Sequence, residues 1–390
     1  MVKRVVVALL VVLGALRAAG AQPRALDPGS IGTFIGDQPP QVILLTFGVG
    51  PRIFERFGHA ALCLNYEGTA EPICFNYGVT DFAEGAPMIW HFLRGEQAFW
   101  VDPESWSDMI GFYQWEDRDI WEQVLPLSPA QARTIENEIT TSLLPEQRTY
   151  HYDHFFNNCT TRLRDMIDRA TGGALKAGAE VPYPLTFREM GYRGLAPIPQ
   201  LVSVADFVIG RQADDTPTLW QAMFHPDVLR QRVATALHVE PRLIYKRQGP
   251  AFPTESNGWR PWMLAIVLIV AVPLLVATWR RRFERVAAAW AALYLALWGI
   301  AIWGLAIISS IPGVRWNENV LVLVPFDAVL PFLSEAKRRR YAQLRCAQLA
   351  FVSALRGVGV LVQPLWVPVL TAFVPLFIIA FGEKIARRRG

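Results

Sequence analysis

The chain has 390 residues, enough for one domain of ordinary size and a further part. Its hydrophobic content of 52%, with 14 Trp, exceeds that of a typical soluble enzyme, and the excess lies in the C-terminal third, which argues against a purely soluble protein. The net charge of +4 is carried with arginines clustered beside hydrophobic segments, a pattern of membrane topology and not of nucleic-acid binding.

Lys3 and Arg4 precede an apolar run from Val5 to Leu16, and Ala19-Gly20-Ala21 follows with small residues. This is the layout of a secretory signal over residues 1–21, too short to span a bilayer comfortably, so that cleavage leaves Gln22 first. Residues 22–40 are rich in Pro and Gly and read as a spacer. An extracytoplasmic domain is expected over 41–258. Within it Val42–Phe47 is a β-prone run, and Phe57–Leu64 and Ile73–Tyr77 pair around the turn-rich Asn65–Pro72. Pro129–Ser142 reads as a helix capped by Ser128, and Thr160–Ala170 as another, followed by short helices and Pro-rich loops.

Residues 259–390 carry a succession of apolar stretches. Trp262–Trp279 ends in Arg280-Arg281-Arg282, and Val286–Ile311 follows. Asn319–Leu333 is shorter, contains Pro325, Asp327 and Pro331, and precedes Lys337-Arg338-Arg339-Arg340. Tyr341–Arg356 and Leu361–Phe381 complete the series, closed by Arg387-Arg388-Arg389. About five crossings place all three basic clusters in the cytoplasm and the domain before Trp262 outside it; a re-entrant Asn319–Leu333 leaves four and puts the last cluster outside. An ionisable group in lipid needs a partner, so Asp327 faces a cavity or serves as a cap or interface carboxylate.

Four cysteines are present. Cys63 and Cys74 flank the turn of the hairpin and suit a disulfide across it; pairing of either with Cys159 is the alternative. Cys346 falls in an apolar stretch and reads as packing. Cys159 follows Asn158, a good N-cap, so it starts a helix whose first-turn N–H groups favour a thiolate. Leu163, Met166, Ile167 and Ala170 recur at helical spacing, and Cys159 stands at the top of their face. A buried structural cysteine shows the same periodicity. A thiol nucleophile needs a base, and His59, at the start of a strand beside Gly58, is the best placed of six histidines. His151 and His154 are nearer only in sequence. If Cys63 opposes Cys74, Asn76 shares a sheet face with His59 and can orient its ring, a ladder or turn role being the alternative. No metal-binding spacing, phosphate loop or serine elbow stands out, and neither metal nor cofactor is expected.

A histidine on a strand, followed about a hundred residues on by a thiol at a helix start, resembles the circularly permuted papain-like hydrolases and acyltransferases of NlpC/P60 type. Leu44-Leu45-Thr46-Phe47-Gly48, Phe57-Gly58-His59-Ala60, Asn76-Tyr77-Gly78 and Asn158-Cys159-Thr160 are similar to the periplasmic domain of Lnb-type lipoprotein N-acyltransferases. So are Leu185-Thr186-Phe187-Arg188-Glu189, Ala213-Asp214-Asp215, Met223-Phe224-His225-Pro226-Asp227, and Asn317-Glu318-Asn319 before Pro325. His225-Pro226 departs from a more usual apolar residue there.

The resemblance implies an α+β chain: a permuted papain-like periplasmic domain followed by an α-helical transmembrane bundle in the bacterial inner membrane. It implies a cysteine acyl-enzyme in which Cys159 takes an acyl chain from a phospholipid or other acyl-lipid donor, with His59 as base. A lipoprotein's N-terminal amine then accepts the chain, and backbone N–H groups with Tyr152 or Asn158 hold the oxyanion. A papain-like peptidase or amidase of the envelope, and a non-enzymatic membrane sensor or assembly factor, are the other readings.

Overall fold

The computed structural model describes residues 38–80, 86–255 and 259–387. The expected signal segment 1–21, residues 22–37 of the spacer, and Arg388 and Arg389 of the last basic cluster lie outside the described residues. The described residues divide into two compact units: one comprises those up to 187 together with 216–252, and the other 188–215 together with those from 253 onward.

The first unit is built on a seven-stranded sheet, antiparallel throughout. Its strands are β1 (Gln41–Phe47), β2 (His59–Asn65), β3 (Ile73–Val79), β4 (Ala98–Ser105), β5 (Ile120–Val124), β6 (Thr149–His151) and β7 (Arg242–Tyr245). They lie in the order β6-β4-β3-β2-β1-β5-β7. β1 takes a central place because six successive residues, Val42 to Phe47, are buried, leaving neither face polar enough for water. Four helices accompany it, α1 (Ala86–Arg94), α2 (Trp106–Trp115), α3 (Pro129–Ser142) and α4 (Cys159–Ala170); α2 and α4 pack on the strands, and α3 packs on α4. From α2, Met109 and Tyr113 join Ile43, Leu45, Phe47, Ala61, Cys63 and Cys74 in one cluster, the alternate residues of three adjacent strands. Tyr77 points to the opposite face and reaches Met166 of α4. Ser128 caps α3, its Oγ accepting from the Gln131 N–H at 3.3 Å while Gln131 Oε1 accepts from the Ser128 N–H at 2.8 Å.

The hairpin register pairs Cys63 with Cys74, and the two are joined by a disulfide; Cys159 and Cys346 are free and buried.

The second unit contains four helices of 22 to 25 residues: α8 (Trp259–Arg280), α9 (Glu284–Ile308), α10 (Glu335–Gly357) and α11 (Trp366–Arg387). Preceding them in this unit are most of α5 (Phe187–Leu195) and all of α6 (Pro199–Val208), while α7 (Pro226–Leu237) belongs to the first unit. Among the described residues, two helices are long and apolar enough to cross a membrane, Pro261–Arg280 and Glu284–Ile308, and Trp366–Gly382 is a shorter apolar helix. The third expected stretch is the one read as either spanning or re-entrant. Asn319–Leu333 forms no long helix, only 3-10 turns at Glu318–Leu321 and Pro325–Phe332. Pro325 and Pro331 withhold the N–H donors that a continuous helix requires. The helix α10 begins six residues before the expected stretch and so incorporates Lys337-Arg338-Arg339-Arg340.

Asp327 has its partner. Arg345 of α10 donates to both carboxylate oxygens, at 2.9 and 3.0 Å, and Tyr341 donates at 2.8 Å. The Asn-rich segment holds the last turn of α6: Asn317 Nδ2 donates to the Phe207 carbonyl at 2.7 Å, and Asn319 Nδ2 to that of Asp206 at 2.8 Å. Glu318 accepts from the Val362 and Gln363 N–H groups at 3.0 and 2.9 Å. Arg188 and Asp214, taken from two of the quoted motifs, form a fork at 2.7 and 2.9 Å.

Candidate active site

The loop before α4 is set by short side chains. Asp153 Oδ1 accepts from the Phe155 and Phe156 N–H groups at 2.9 and 3.0 Å, and Asn157 Nδ2 donates to the His151 carbonyl at 2.6 Å. Asn158, in an extended conformation, then caps the helix. Its Oδ1 accepts from the Thr161 N–H, and the Thr161 hydroxyl accepts from the Asn158 N–H, both at 2.8 Å. Cys159 is therefore the first residue of α4, where backbone N–H groups lack intrahelical acceptors and favour an anion. The residue is 8% exposed, so the thiol is enclosed.

His59 opens β2. Gly58 before it has φ +75°, and a Cβ there would stand 2.7 Å from the Phe47 carbonyl oxygen, so glycine lets the chain turn tightly into the strand. The His59 ring lies 6.1 Å, centroid to centroid, from both Phe47 and Tyr113. Pairing of Cys63 with Cys74 carries Asn76 alongside it, and His59 Nε2 lies 2.5 Å from Asn76 Oδ1. With Nε2 engaged by Asn76, Nδ1 is the ring nitrogen left free, and His59 and Cys159 are near enough for each to shift the other's protonation. The Thr160 hydroxyl lies 3.6 Å from Cys159 Sγ, and the Ala60 backbone also favours the thiolate.

These contacts govern protonation. Burial pushes the Cys159 thiol up, but the charge and hydrogen bond of His59, helped by Thr160 and Ala60, draw it down to about 7. Burial opposes protonation of His59, yet the Cys159 thiolate and Asn76 hold its pKa above the ordinary value. The pair thus favours thiolate and imidazolium, the reactive state of a cysteine nucleophile.

Sequence reasoning missed a carboxyl group behind Asn76. Glu104 of β4 sits opposite Cys74, diagonal to Asn76, near enough for Asn76 to influence its protonation. Burial and Asp108 raise the Glu104 pKa to about 7, while His59 and Asn76 pull the other way. The β4 run Ala98-Phe99-Trp100-Val101-Asp102-Pro103-Glu104-Ser105 ends in polar residues and a proline that hide it as a strand.

The expected oxyanion groups fare differently. The Asn158 side-chain amide is not free for that role: besides the cap, its Nδ2 donates to the His154 and Phe224 carbonyls at 2.9 and 3.0 Å. A helix start on a tight loop consumes its cap residue. Tyr152 stacks on Phe99 with centroids 4.4 Å apart, and its hydroxyl lies 3.5 Å from His154 Nδ1. His151 is exposed. His154 packs against Phe57, centroids 4.3 Å apart, and burial with nearby His225 lowers its pKa to about 4.

Residues 38–191 match the family model described as the Lnb N-terminal periplasmic domain. This segment belongs to that family. Cys159, His59, Asn76 and Glu104 all fall within the matched residues. Searches of curated proteins and of solved structures found no significant match. Membership of the Lnb-type domain suggests an enzyme of lipoprotein processing, and with two helices able to cross a bilayer it suggests a membrane protein with a periplasmic domain.

Proposed function

We propose that this protein is a membrane-anchored cysteine acyltransferase that moves an acyl chain, through a thioester on Cys159, to the N-terminal amine of lipoproteins. The observation that carries this reading is the series Cys159–His59–Asn76, in which Asn76 holds the histidine and the histidine draws the thiol towards thiolate, at a helix start and strand start within an Lnb-type domain. Its strand histidine, helix-start thiol and neighbouring amide support a permuted papain-like arrangement, in which Cys, His and Asn play the same three parts.

In the first half-reaction the Cys159 thiolate attacks the acyl ester of a phospholipid or other acyl-lipid donor. The carbon–oxygen bond to the leaving alcohol breaks as the His59 imidazolium gives that oxygen its proton. In the second, His59 takes a proton from the incoming amine as nitrogen attacks the thioester, and the thiolate leaves. Asn76 holds the ring so that one nitrogen faces the sulfur throughout. Donor and acceptor are both lipid-anchored, and residues 259–390 would hold the enzyme in the inner membrane as a multi-pass anchor. Tethering then turns a search through volume into encounters at one surface.

The test is mass spectrometry of lipoprotein N-termini from cells with and without the protein, joined to the intact mass of the enzyme trapped with donor lipid. An acyl adduct on Cys159 and N-acylated termini that vanish in the Cys159→Ala strain are expected. Free fatty acid released without any acylated amine would make the protein a hydrolase instead.

A further inference from the structure

Tyr150 is a buried phenol close to the thiol that the reaction above leaves unused. It lies on β6, paired with Phe99 of β4, and is 7% exposed. Among the described residues its hydroxyl is buried with no hydrogen-bond partner. A buried hydroxyl without a partner is costly, so one that persists beside a nucleophile points to a bond formed only when the site is occupied.

The space it faces is made by Gly78. This residue has φ +90° at the bulge that ends β3, and a Cβ built there would stand 3.7 Å from Cys159 Cβ and 3.7 Å from the Tyr150 hydroxyl oxygen. The missing side chain therefore keeps open the space between nucleophile and phenol. The Arg162 guanidinium lies over the Tyr150 ring, 3.8 Å from its centroid, which polarises the O–H toward stronger donation. Burial keeps the phenol neutral, as a donor must be. Asn158, in contrast, has both ends of its amide engaged.

We propose that the Tyr150 hydroxyl is the side-chain donor of the oxyanion hole, acting with the Cys159 backbone N–H. This rests on the acyl-transfer reading. As the sulfur–carbon bond forms, the carbonyl π pair moves to oxygen, and that oxygen accepts from Tyr150 and from the Cys159 N–H. When the pair returns, the bond to the leaving alcohol breaks and His59 supplies the proton to that alcohol. Tyr150 keeps its own proton throughout.

The experiment compares the full-length wild type with Tyr150→Phe in detergent micelles, using p-nitrophenyl octanoate as acyl donor and iodoacetamide as thiolate probe. Tyr150→Phe is expected to slow the nitrophenol burst on the order of 10²-fold while Cys159 alkylation stays within about threefold of wild type, since an oxyanion donor serves only the tetrahedral state. A normal burst rate in Tyr150→Phe overturns the assignment. Equal losses in burst and alkylation overturn it as well, because Tyr150 would then act on the thiolate or the fold. A wild type that alkylates at Cys159 yet gives no burst overturns the acyl-transfer reading itself, and this inference with it.

Discussion

His59 Nε2 lies 2.5 Å from Asn76 Oδ1, so the imidazole is anchored at one nitrogen and keeps the other free. Removing the base and removing its anchor should therefore differ in degree. His59→Ala is expected to slow thioester formation on Cys159 by ~10²–10⁴-fold. Asn76→Ala, which leaves the base in place but free to turn, should lose less, on the order of 10-fold. Single-turnover acylation rates of the two variants check the order, and an Asn76→Ala defect as large as that of His59→Ala would deny Asn76 a purely orienting part.

The same pair sets a pH dependence. The Cys159 thiol titrates at about 7 because His59 outweighs the burial that pushes it up. Iodoacetamide alkylation of Cys159 should accordingly rise through a midpoint near neutrality, as thiolate forms above the pKa. In His59→Ala the burial penalty stands with less opposition, and the midpoint should move upward. A midpoint unmoved in the variant would show that the helix start and Ala60, not His59, hold the thiolate.

What could be read in the sequence and what could not divide along physical lines. The thiol at a capped helix start, the histidine at a strand end and the neighbouring Asn76 were legible, because capping chemistry and the period of a hairpin are local. The Cys63–Cys74 register then placed Asn76 beside His59 with nothing further needed. Glu104 and Tyr150 were not legible. Glu104 lies on a strand whose end carries Asp102 and Pro103, and Tyr150 on one of only three residues, so neither strand shows an apolar alternation. In the second unit, Asn319–Leu333 read as an apolar stretch by composition, yet its prolines and the Asp327–Arg345 pair make it a set of 3-10 turns.

Thiol accounting provides a third check. Cys63 and Cys74 are bonded, while Cys159 and Cys346 are free. Native protein should take up label on Cys159 near neutral pH and leave Cys346 silent. Denatured, unreduced protein should label at both, and reduced protein at all four. Closing the Cys63–Cys74 loop stabilises by roughly 2–4 kcal/mol, so the doubly substituted Cys63→Ala, Cys74→Ala protein should melt at a lower temperature. Label on Cys63 in unreduced protein would contradict the bridge.

Glu104 should make the protein less stable as pH rises. Its pKa in the fold is about 7, above the ordinary 4.5, so the folded state holds the proton longer. Stability is fully present below the unfolded value and declines between pH 4.5 and 7 by on the order of 3 kcal/mol, the linkage of that shift. Glu104→Gln keeps a hydrogen-bonding amide without the charge. The gap in melting temperature between variant and wild type should widen from pH 5 to pH 8, in the variant's favour. A gap independent of pH would mean that Glu104 does not titrate in this range.

His154 predicts the opposite slope and separates packing from catalysis. Its ring sits among Phe57, Phe155 and Phe224, and its Nε2 is buried with no hydrogen-bond partner among the described residues. Burial and His225 hold its pKa at about 4, below the ordinary 6.5, so the unfolded chain takes the proton first. Stability should then fall as pH drops from 6.5 towards 4, again by on the order of 3 kcal/mol. Phenylalanine fits the aromatic surroundings and brings no nitrogen to bury. His154→Phe should therefore gain on wild type in melting temperature at pH 5 more than at pH 8, and should still form and discharge the Cys159 thioester at close to the wild-type rate. His59→Phe, by contrast, should lose both half-reactions. If His154→Phe fails to discharge the thioester while His59→Ala succeeds, the base is His154, and the series Cys159–His59–Asn76 is structural.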